Sequence, residues 1–472
     1  MLKLFNTATR KLEPFKPLSD TVKIYTCGPT VYNFQHIGNY ASYIYWDLLI
    51  RTLQADGLKV RRVLNFTDVG HLTSDEDTGE DKMEKGAARE GKTVYEIAEF
   101  YADDFMRNFR SLCLTEPDVI ARATDYIAAD MAAVDLMTKH GFTYETTDGV
   151  YYDTAKFPGY ADFAHLDLKG LQAGARVGFS DEKRNRSDFA VWKFIQPGEK
   201  HAMRWDYLGR PGYPGWHLEC STIIHEELGE PIDIHTGGID HVPVHHTNEI
   251  AQTFAAYGTA QLARYWLHCN FITIDGEKVS KSLGNIYTLD DLAERGFSPM
   301  DFKMWVLSGH YQGTRNFTFE SLEAAKARRL HWRNRIASCY QADDSKTGDG
   351  LGRAPAEHPE GGAAGRKSPA GPVLRLITEA VNNNLNSPEA FAVIDTSELS
   401  LAEWKEVDEL FGLNLIADTP DIDDDTKDLI AQRTAAREAK DWAESDRLRD
   451  ELAARGITVK DTPTGPIWQY LS

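Results

Sequence analysis

The sequence predicts an α/β protein that is built on a parallel sheet and continues into a helical region. Two β-forming stretches, Thr21–Thr26 and Leu58–Phe66, enclose a helical pattern at Tyr40–Leu53. This strand–helix–strand succession is typical of parallel sheets, in which binding loops lie at the carboxyl ends of the strands. Because 472 residues exceed what one hydrophobic core holds, we expect three or four domains.

The same alternation of strands and helices resumes in the second half of the chain, after a turn-rich interruption between about residues 115 and 206. The apolar pattern predicts the following elements in order: a helix at Gly215–Glu227, a strand at Ile232–His235, helices at Glu249–Tyr257 and 321–340, and helical sequence from Val373 to Phe411.

Other segments interrupt or end the helical region. Residues 341–370 contain no aromatic residue, isoleucine or valine, so they cannot bury enough surface to offset their ordering entropy, and we predict a flexible loop. The acidic run Asp421–Asp425 is expected to be a solvated loop before the last domain. There, Asp441 with Glu444 three residues later predicts a helix N-terminus, and Gly456 ends that helix.

Composition and charge narrow the functional classes. The net charge of −20, from 52 basic and 72 acidic residues, argues against indiscriminate nucleic-acid binding but permits a local basic face. The densest basic segment, Lys326–Arg335, is either a solvated helix face or a nucleic-acid contact. No apolar run approaches the length of a membrane span. Five scattered cysteines, an odd number, indicate reduced thiols and a cytoplasmic location rather than a disulfide framework.

Two short motifs carry most of the functional signal. The first, His-Ile-Gly-Asn at 36–39, lies between a predicted strand and a predicted helix, where a small residue lets backbone and imidazole approach phosphates. The second, Lys-Val-Ser-Lys-Ser at 278–282, places two lysines three residues apart among serines, which suits a loop that clamps a polyphosphate. Each motif alone is weak evidence, whereas their order, separation and contexts together are strong evidence.

Together these motifs resemble the two signatures of class I aminoacyl-tRNA synthetases, and further motifs resemble the cysteinyl-tRNA synthetases within that class. These motifs are Thr-Cys-Gly-Pro-Thr-Val-Tyr at 26–32, Gly-Trp-His-Leu-Glu-Cys at 215–220, Asp-Ile-His-Thr-Gly-Gly-Ile-Asp at 233–240 and His-His-Thr-Asn-Glu at 245–249. The resemblance continues almost to the last residue.

The resemblance implies a Rossmann-like nucleotide-binding catalytic domain with a connective insertion, followed by a helical bundle and a small C-terminal tRNA-binding domain. The implied boundaries are 1–114 and 207–270 for the two catalytic halves, 115–206 for the insertion, 271–320 for a linker domain with the lysine loop, 321–419 for the bundle and 420–472 for an anticodon-binding domain.

The resemblance also implies that Cys27, Cys220, His245 and Glu249 bind one Zn²⁺ per chain. Two sulfur ligands favour zinc over magnesium or calcium. His245 and Glu249 are four residues apart, so on a helix they share one face. The two cysteines lack the short spacing of common zinc motifs, and without the resemblance they would be interpreted as small core residues.

The implied role of the metal is amino-acid selection. The thiolate of L-cysteine can bind zinc, whereas serine is a poor ligand, so no editing site would be needed. The resemblance adds Trp216 and His235 to the amino-acid pocket. From the residues alone, Trp216 is equally a core residue.

For ATP with Mg²⁺, the resemblance assigns contacts to the phosphates, the adenine and the ribose or substrate ammonium. The implied residues are His36, Gly38, Asn39, Gly238, Asp240, Lys278, Ser280 and Lys281, with His36, Asn39 and the two lysines as catalytic residues. The family's first motif usually ends in a second histidine. Asparagine at position 39 still donates through its amide but cannot carry a positive charge.

The implied activity is that of a monomeric cysteine–tRNA ligase. It would form cysteinyl-adenylate and pyrophosphate from L-cysteine and ATP, and then transfer cysteine to the 3′-terminal ribose of tRNA(Cys). Two alternatives stay open: a ligase that transfers cysteine to a small amine, and a non-catalytic synthetase paralogue. The long C-terminal region disfavours the first alternative, and the intact lysines and metal ligands disfavour the second.

Overall fold

The structure, a computed structural model, describes residues 1–69, 81–166, 182–199, 201–279, 284–344, 371–463 and 465–471. The strands in these ranges are β1 (Lys3–Asn6), β2 (Lys11–Pro14), β3 (Thr21–Thr26), β4 (Lys59–Phe66), β5 (Val119–Arg122), β6 (Thr143–Glu145), β7 (Gly149–Tyr152), β8 (Phe189–Phe194), β9 (Trp205–Tyr207), β10 (Arg210–Pro214), β11 (Ile232–Gly238), β12 (Ala263–Cys269), β13 (Ile272–Ile274), β14 (Glu277–Lys278), β15 (Arg315–Phe317), β16 (Ile457–Thr462) and β17 (Gly465–Tyr470).

The α-helices in the same ranges are α1 (Ile37–Ala55), α2 (Lys82–Glu90), α3 (Val94–Ser111), α4 (Ile127–Lys139), α5 (Leu218–Glu227), α6 (Thr247–Tyr257), α7 (Leu289–Glu294), α8 (Pro299–Leu307), α9 (Phe319–Asp344), α10 (Pro372–Asn382), α11 (Ser387–Thr396), α12 (Leu401–Phe411), α13 (Asp424–Glu438) and α14 (Trp442–Ala454). Within the described part of the chain, no helix is both long enough and apolar enough to cross a membrane.

Five strands form the predicted parallel sheet, in the order β12–β11–β3–β4–β5. The chain builds outward from β3 to β5 on one side and from β11 to β12 on the other, so the strand order reverses between β3 and β11. In sheets of this type, ligands bind in the crevice beyond the carboxyl ends of the strands at that reversal. The motif at 36–39 and the Gly-Gly pair that ends β11 both lie at this edge.

The helix α1 begins inside the first motif, three residues before the helix start that the sequence predicts. Asn39 contributes to the earlier start, because its Oδ1 accepts a hydrogen bond from the backbone N–H of His36 at 3.1 Å. The helix is buried along most of its length, with Tyr40, Ile44 and Leu49 completely enclosed. Its N-terminus is therefore held rigidly at the crevice.

The other predictions for this region are confirmed, with differences at the element ends. β3 has the predicted bounds, β4 starts one residue later, and β11 extends three residues further, to Gly238. α6 starts at Thr247 and follows a wide helical turn, Val242–His246. That turn changes the direction of two neighbouring histidines, His245 and His246, relative to the helix.

A second, antiparallel sheet is formed by the chain between β5 and β11, with the strand order β6–β7–β8–β10–β9. The hydroxyl of Tyr152 in β7 donates to the carbonyl of Ala251 in α6 at 2.9 Å. The insertion thereby supports the helix that carries Glu249. β5 also falls within the turn-rich stretch 115–206, but it pairs with β4 in the parallel sheet.

The helical sequence from Val373 to Phe411 divides into the three helices α10, α11 and α12. Asn384 and Leu385 break it, with φ angles of 64° and 56° in the left-handed region. The N-terminus of α14 is confirmed, because Asp441 accepts a hydrogen bond from the backbone N–H of Glu444 at 3.1 Å. The predicted loop at 341–370 lies mostly outside the described residues, since α9 reaches Asp344.

The expectation of a loop at Asp421–Asp425 is wrong for its second half. Asp424 and Asp425 form the first turn of α13, and Asp423 caps that helix by accepting a hydrogen bond from the N–H of Thr426 at 2.7 Å. Acidic residues are stabilising at a helix N-terminus because the exposed N–H groups there carry partial positive charge. The acidic run thus starts a helix.

The basic segment Lys326–Arg335 of α9 is partly buried, so it is not a fully solvated helix face. Its arginines are bound by carboxylates and carbonyls of neighbouring segments. The pairs are Arg328 with Asp395, Arg329 with Asp301 and Asp418, Arg333 with Thr419 and the Asp418 carbonyl, and Arg335 with the Ile394 and Ser397 carbonyls. These arginines join α9 to α8, to α11 and to the segment after α12.

Asp47, buried in the middle of α1, fastens that helix to two other parts of the molecule. It accepts hydrogen bonds from Lys303 of α8 at 2.9 Å, from Arg51 at 2.8 Å and from the backbone N–H of Thr115 at 2.7 Å. Burial alone would raise its pKa, but Lys303 and Arg51 hold the pKa of Asp47 at about 2. Arg51 also donates to the carbonyl of Glu409 in α12.

We expect Lys303→Met to lower the free energy of unfolding by about 3–5 kcal/mol, because it leaves a buried carboxylate without its main partner. Thermal and urea unfolding would measure the loss, with Lys405→Met on the exposed face of α12 as the control. In the wild type, the pKa of Asp47 is depressed. The stabilisation from its ionised carboxylate is therefore present above about pH 4 and is lost as the pH falls towards 2. A variant as stable as the control would contradict this role of Lys303.

Candidate active site and metal centre

A cavity of about 670 Å³ opens at the carboxyl ends of β3 and β11, where the strand order reverses. Its volume is in the range of small-molecule sites. The residues that line it include nine of those singled out in the sequence: Cys27, His36, Gly38, Asn39, Trp216, Cys220, Gly238, Asp240 and His245. Motifs that are far apart in the chain therefore meet in one cavity.

The four predicted metal ligands converge at this cavity, and three of them line it. Donor atoms of Cys27, Cys220, His245 and Glu249 all lie within 4.8 Å of one another, and all four residues are buried. His245 Nε2 is 3.0 Å from Glu249 Oε1 and 3.4 Å from Cys220 Sγ. Cys27 follows β3, Cys220 lies in α5, and Glu249 lies in α6 behind the cavity wall.

A second set of donors overlaps the first. Cys27, His235, His246 and Glu249 also bring their donor atoms within 4.8 Å of one another. His235 Nε2 is 2.7 Å from Glu249 Oε2, and His246 Nε2 is 3.4 Å from Cys27 Sγ. His235 is completely buried behind Glu249 and does not line the cavity.

The electrostatics of the cluster favour a bound cation. Burial raises the pKa of Cys27 to about 11 and raises that of Cys220, so both thiols remain protonated unless a cation stabilises the thiolates. Burial acts against ionisation of Glu249 as well, but His235 and His245 bring the pKa of Glu249 down to about 2. Two thiols, an imidazole and an ionised carboxylate at these distances fit the donor set of a zinc site.

Glu219 precedes Cys220 in the Gly-Trp-His-Leu-Glu-Cys motif, and the sequence alone indicates no role for it. Burial raises the pKa of Glu219 to about 8, so this side chain is mostly neutral at pH 7. It accepts a hydrogen bond from the hydroxyl of Thr67 at 2.5 Å and another from Asn65 at 3.4 Å. A neutral carboxyl adds no negative charge beside Cys27 and Cys220.

The glycine of the Thr-Cys-Gly motif is required by a close approach of two strand ends. A Cβ at Gly28 would lie 1.5 Å from the carbonyl oxygen of Asn65, and the N–H of Gly28 donates to Asn65 Oδ1 at 2.8 Å. This contact brings the end of β4 against the cavity. Asn65 and Thr67 lie in an Asn-Phe-Thr sequence at the end of β4, a position that could have indicated a role.

Histidine contacts orient two of the candidate ligands. His245 Nδ1 lies 2.9 Å from Nδ1 of His217, so a His245 ring that binds metal through Nε2 donates its N–H to His217. Trp216 stacks on His245, with ring centroids 4.6 Å apart and an angle of 29°. Trp216 is thus a wall of the cavity beside the cluster rather than a residue of the core.

The first motif lines the same cavity. Burial lowers the pKa of His36 to about 4, so its ring is neutral at pH 7, and its Nδ1 has no hydrogen-bond partner among the described residues. A Cβ at Gly38 would approach that ring to within 2.8 Å. Asn39 uses its Oδ1 on the backbone of His36. Its amide N–H₂ is therefore the group left to donate into the cavity.

The structure describes only the first two residues of the second motif. The backbone of Lys278 ends β14, which pairs with β13, and Val279 lines the cavity. Ser280 and Lys281 lie outside the described residues. The lysine loop thus begins at the wall of the cavity that contains His36 and Gly38.

Comparison with known proteins is consistent with this geometry. A family model for the class I (C) tRNA synthetase catalytic domain matches residues 14–327, and a cysteinyl-tRNA ligase anticodon binding domain matches residues 419–468. The chain belongs to the cysteinyl-tRNA synthetase family. The enzyme class that the motifs predicted, a class I aminoacyl-tRNA synthetase, is therefore confirmed.

Curated relatives match over the full length. The chain is 42% identical to Cysteine–tRNA ligase 1 of Burkholderia lata, over 98% of this chain and 96% of that protein. It is 37% identical to Cysteine–tRNA ligase of Treponema denticola, over 100% of both. A solved structure of Mycobacterium tuberculosis methionyl-tRNA synthetase with methionyl-adenylate matches at a TM-score of 0.54 and 15% identity, over 91% of this chain and 88% of that one, which is a likeness of fold.

Proposed function

We propose that this enzyme activates L-cysteine with ATP and transfers it to the 3′-terminal ribose of tRNA(Cys). The observation that carries the proposal is the convergence of Cys27, Cys220, His245 and Glu249 at the wall of the cavity that His36 and Gly38 also line. A thiol-selective metal site beside a nucleotide-binding helix is what a ligase specific for cysteine needs.

The four clustered residues would hold one Zn²⁺. When bound, the metal supplies a Lewis-acidic position that prefers a thiolate over a hydroxyl. Trp216, stacked on His245, closes the pocket on one side and limits the size of the amino acid. His235 would orient Glu249 by donating its Nε2–H to Oε2. Rejection of serine would then need no separate editing site.

The adenylation site would extend from this pocket towards α1. Gly38 lets the nucleotide approach α1, His36 and Asn39 donate N–H groups to the phosphates, and Gly238 with Asp240 lines the side where ribose or the substrate ammonium binds. Because His36 and Asn39 are both neutral, Lys278, Lys281 and Mg²⁺ would supply positive charge to the leaving pyrophosphate. Ser280 would position the loop between the two lysines.

The C-terminal part would recognise tRNA, with the domain boundaries given above. In the segment that matches the anticodon-binding model, Trp442 is 57% exposed, and Arg437 lies 5.6 Å from its ring. An exposed indole beside a guanidinium is suited to stack on an unpaired base. A monomer working in the cytoplasm, where cysteine thiols stay reduced, fits these features.

We expect Trp442→Ala to reduce the efficiency of tRNA charging about tenfold or more and to leave ATP–pyrophosphate exchange unchanged. Loss of one base–aromatic stack costs roughly 1–3 kcal/mol. Charging assays with limiting tRNA would measure the effect, with Leu376→Ala, a 52% exposed residue of α10, as the control. Equal charging by both variants would remove Trp442 from the tRNA interface.

The decisive experiment for the whole proposal is ATP–pyrophosphate exchange with each of the twenty amino acids, followed by charging of tRNA. We expect exchange with cysteine alone and transfer of cysteine to tRNA(Cys). Exchange with cysteine but transfer only to a small amine would support the amine-ligase alternative. An absence of exchange with every amino acid would support a non-catalytic paralogue.

A further inference from the structure

Three hydrogen bonds connect the turn after β1 to the cysteine at the end of β3. Thr7 Oγ1 is 2.7 Å from His268 Nδ1, His268 Nε2 is 2.7 Å from His246 Nδ1, and His246 Nε2 is 3.4 Å from Cys27 Sγ. His246 and His268 are buried, whereas Thr7 is only partly covered, outside the cavity. The chain of contacts runs from the β1–β2 turn through β12 to the wide turn before α6.

The contacts restrict where the protons lie. A contact of 2.7 Å between two imidazole nitrogens needs one N–H and one bare nitrogen, and a neutral imidazole has one of each. Two neutral rings in series therefore donate in the same direction. The hydrogen bonds can run in either of two directions, here called polarities. In one polarity, Thr7 donates to His268, and His246 Nε2–H points at Cys27. In the other polarity, His246 Nε2 is bare and Thr7 accepts.

The two polarities correspond to the two overlapping donor sets. A bare His246 Nε2 is required if His246 binds the metal, as in the set that leaves out Cys220 and His245. An Nε2–H is required if Cys27 binds the metal as a thiolate and His246 does not. Access to the cavity favours the second case, because Cys27, Cys220 and His245 all line it, whereas His235 and His246 do not.

We propose that Thr7, His268 and His246 form a one-directional relay whose last N–H is donated to the Cys27 thiolate, which makes Thr7 and His246 positioning residues of the metal site. This inference rests on the zinc site proposed above. The relay orients the sulfur and neutralises part of its buried charge. Groups that orient metal ligands in this way typically change metal affinity by about 10–100-fold.

The relay gives Thr7 a function that its position does not suggest. In the proposed direction its hydroxyl donates to His268 Nδ1, and this hydrogen bond stabilises the tautomers in which His268 and His246 carry their protons on Nε2. Without it, both rings are free to adopt the opposite tautomers. His246 Nε2 would then present a lone pair to the thiolate, and the two groups repel.

The first test measures zinc affinity by competition with a chelator. We expect Thr7→Val, which keeps the shape but removes the hydroxyl, to bind zinc about tenfold more weakly than the wild type. Thr7→Ser should restore wild-type affinity. The control is Thr9→Val, an exposed threonine of the same turn. Melting temperatures of the zinc-free proteins would show that the turn itself is intact.

The second test needs no variant of the relay. Proton–nitrogen NMR of zinc-loaded protein with ¹⁵N-labelled histidine rings should show Nε2 protonated and Nδ1 bare in both His246 and His268. A bare or metal-bound His246 Nε2, or a Thr7→Val protein with unchanged zinc affinity, would overturn the relay while leaving the zinc site in place. Wild-type protein that binds no zinc would overturn the zinc site first.

Discussion

Lys281→Ala should reduce cysteine-dependent ATP–pyrophosphate exchange by about 100- to 1000-fold, which corresponds to roughly 3–4 kcal/mol of lost transition-state stabilisation. The reason lies in the charges of the first motif. His36 is neutral because burial lowers its pKa to about 4, and Asn39 carries no charge. In the proposed mechanism the lysines of the second motif therefore supply positive charge to the departing pyrophosphate.

The effect should appear in the chemical step and not in amino-acid binding. Cysteine affinity, measured by isothermal titration, should stay close to wild type, because the proposed cysteine pocket is formed by Trp216 and the four clustered donors. Lys281→Arg should recover part of the exchange rate, since it keeps the charge, and Lys405→Ala on α12 should behave like wild type. Exchange within a few-fold of wild type for Lys281→Ala would exclude this role.

The elements nearest the motifs were the ones that local sequence predicted well. β3 and α1 are set by local signals: a short β-forming run, then a turn residue, then a long apolar helical pattern. The antiparallel insertion was recognised only as an interruption, because its strands β6 and β7 are three and four residues long and pair within a sheet that spans residues 143–214. Such pairings depend on long-range contacts that local sequence does not encode.

The basic segment of α9 illustrates the same limit. A run of arginines indicates charge but not where the partners are, and here the partners come from α8, α11 and the segment after α12. In the structure these arginines join neighbouring segments to α9, which their spacing in the sequence does not reveal. Exposed candidates for tRNA contact, such as Trp442, become visible only when burial is known.

The residues of the candidate site also divide into those that the sequence predicted and those that it could not predict. Motif resemblance named the four clustered donors, although nothing in their spacing relates Cys27 to Cys220. The histidines around them, His217, His246 and His268, could not be assigned, because a lone histidine in sequence gives no sign of its hydrogen-bond partner. Their contacts at 2.7–2.9 Å exist only in the folded chain.

Cys220→Ser tests the metal centre and should have the second large effect. The wild-type protein should contain about one zinc per chain, as expected for a single four-ligand site. Serine replaces a soft thiolate by a weakly binding hydroxyl, so zinc content and affinity should fall steeply. ATP binding should change much less, because the proposed ATP contacts of His36 and Gly38 do not involve the clustered donors. Cys339→Ser, on α9, is the matched control.

Selectivity is the sharper measure of the same change. Wild-type enzyme should favour cysteine over serine in exchange by on the order of 10⁴-fold, because a site that binds the substrate's sulfur rejects an analogue without it. Cysteine binding should also release a proton, since the metal accepts the thiolate. In Cys220→Ser both the preference and the proton release should shrink together. Undiminished discrimination in this variant, or wild-type protein without zinc, would falsify selection by the metal and leave adenylation to His36, Lys278 and Lys281.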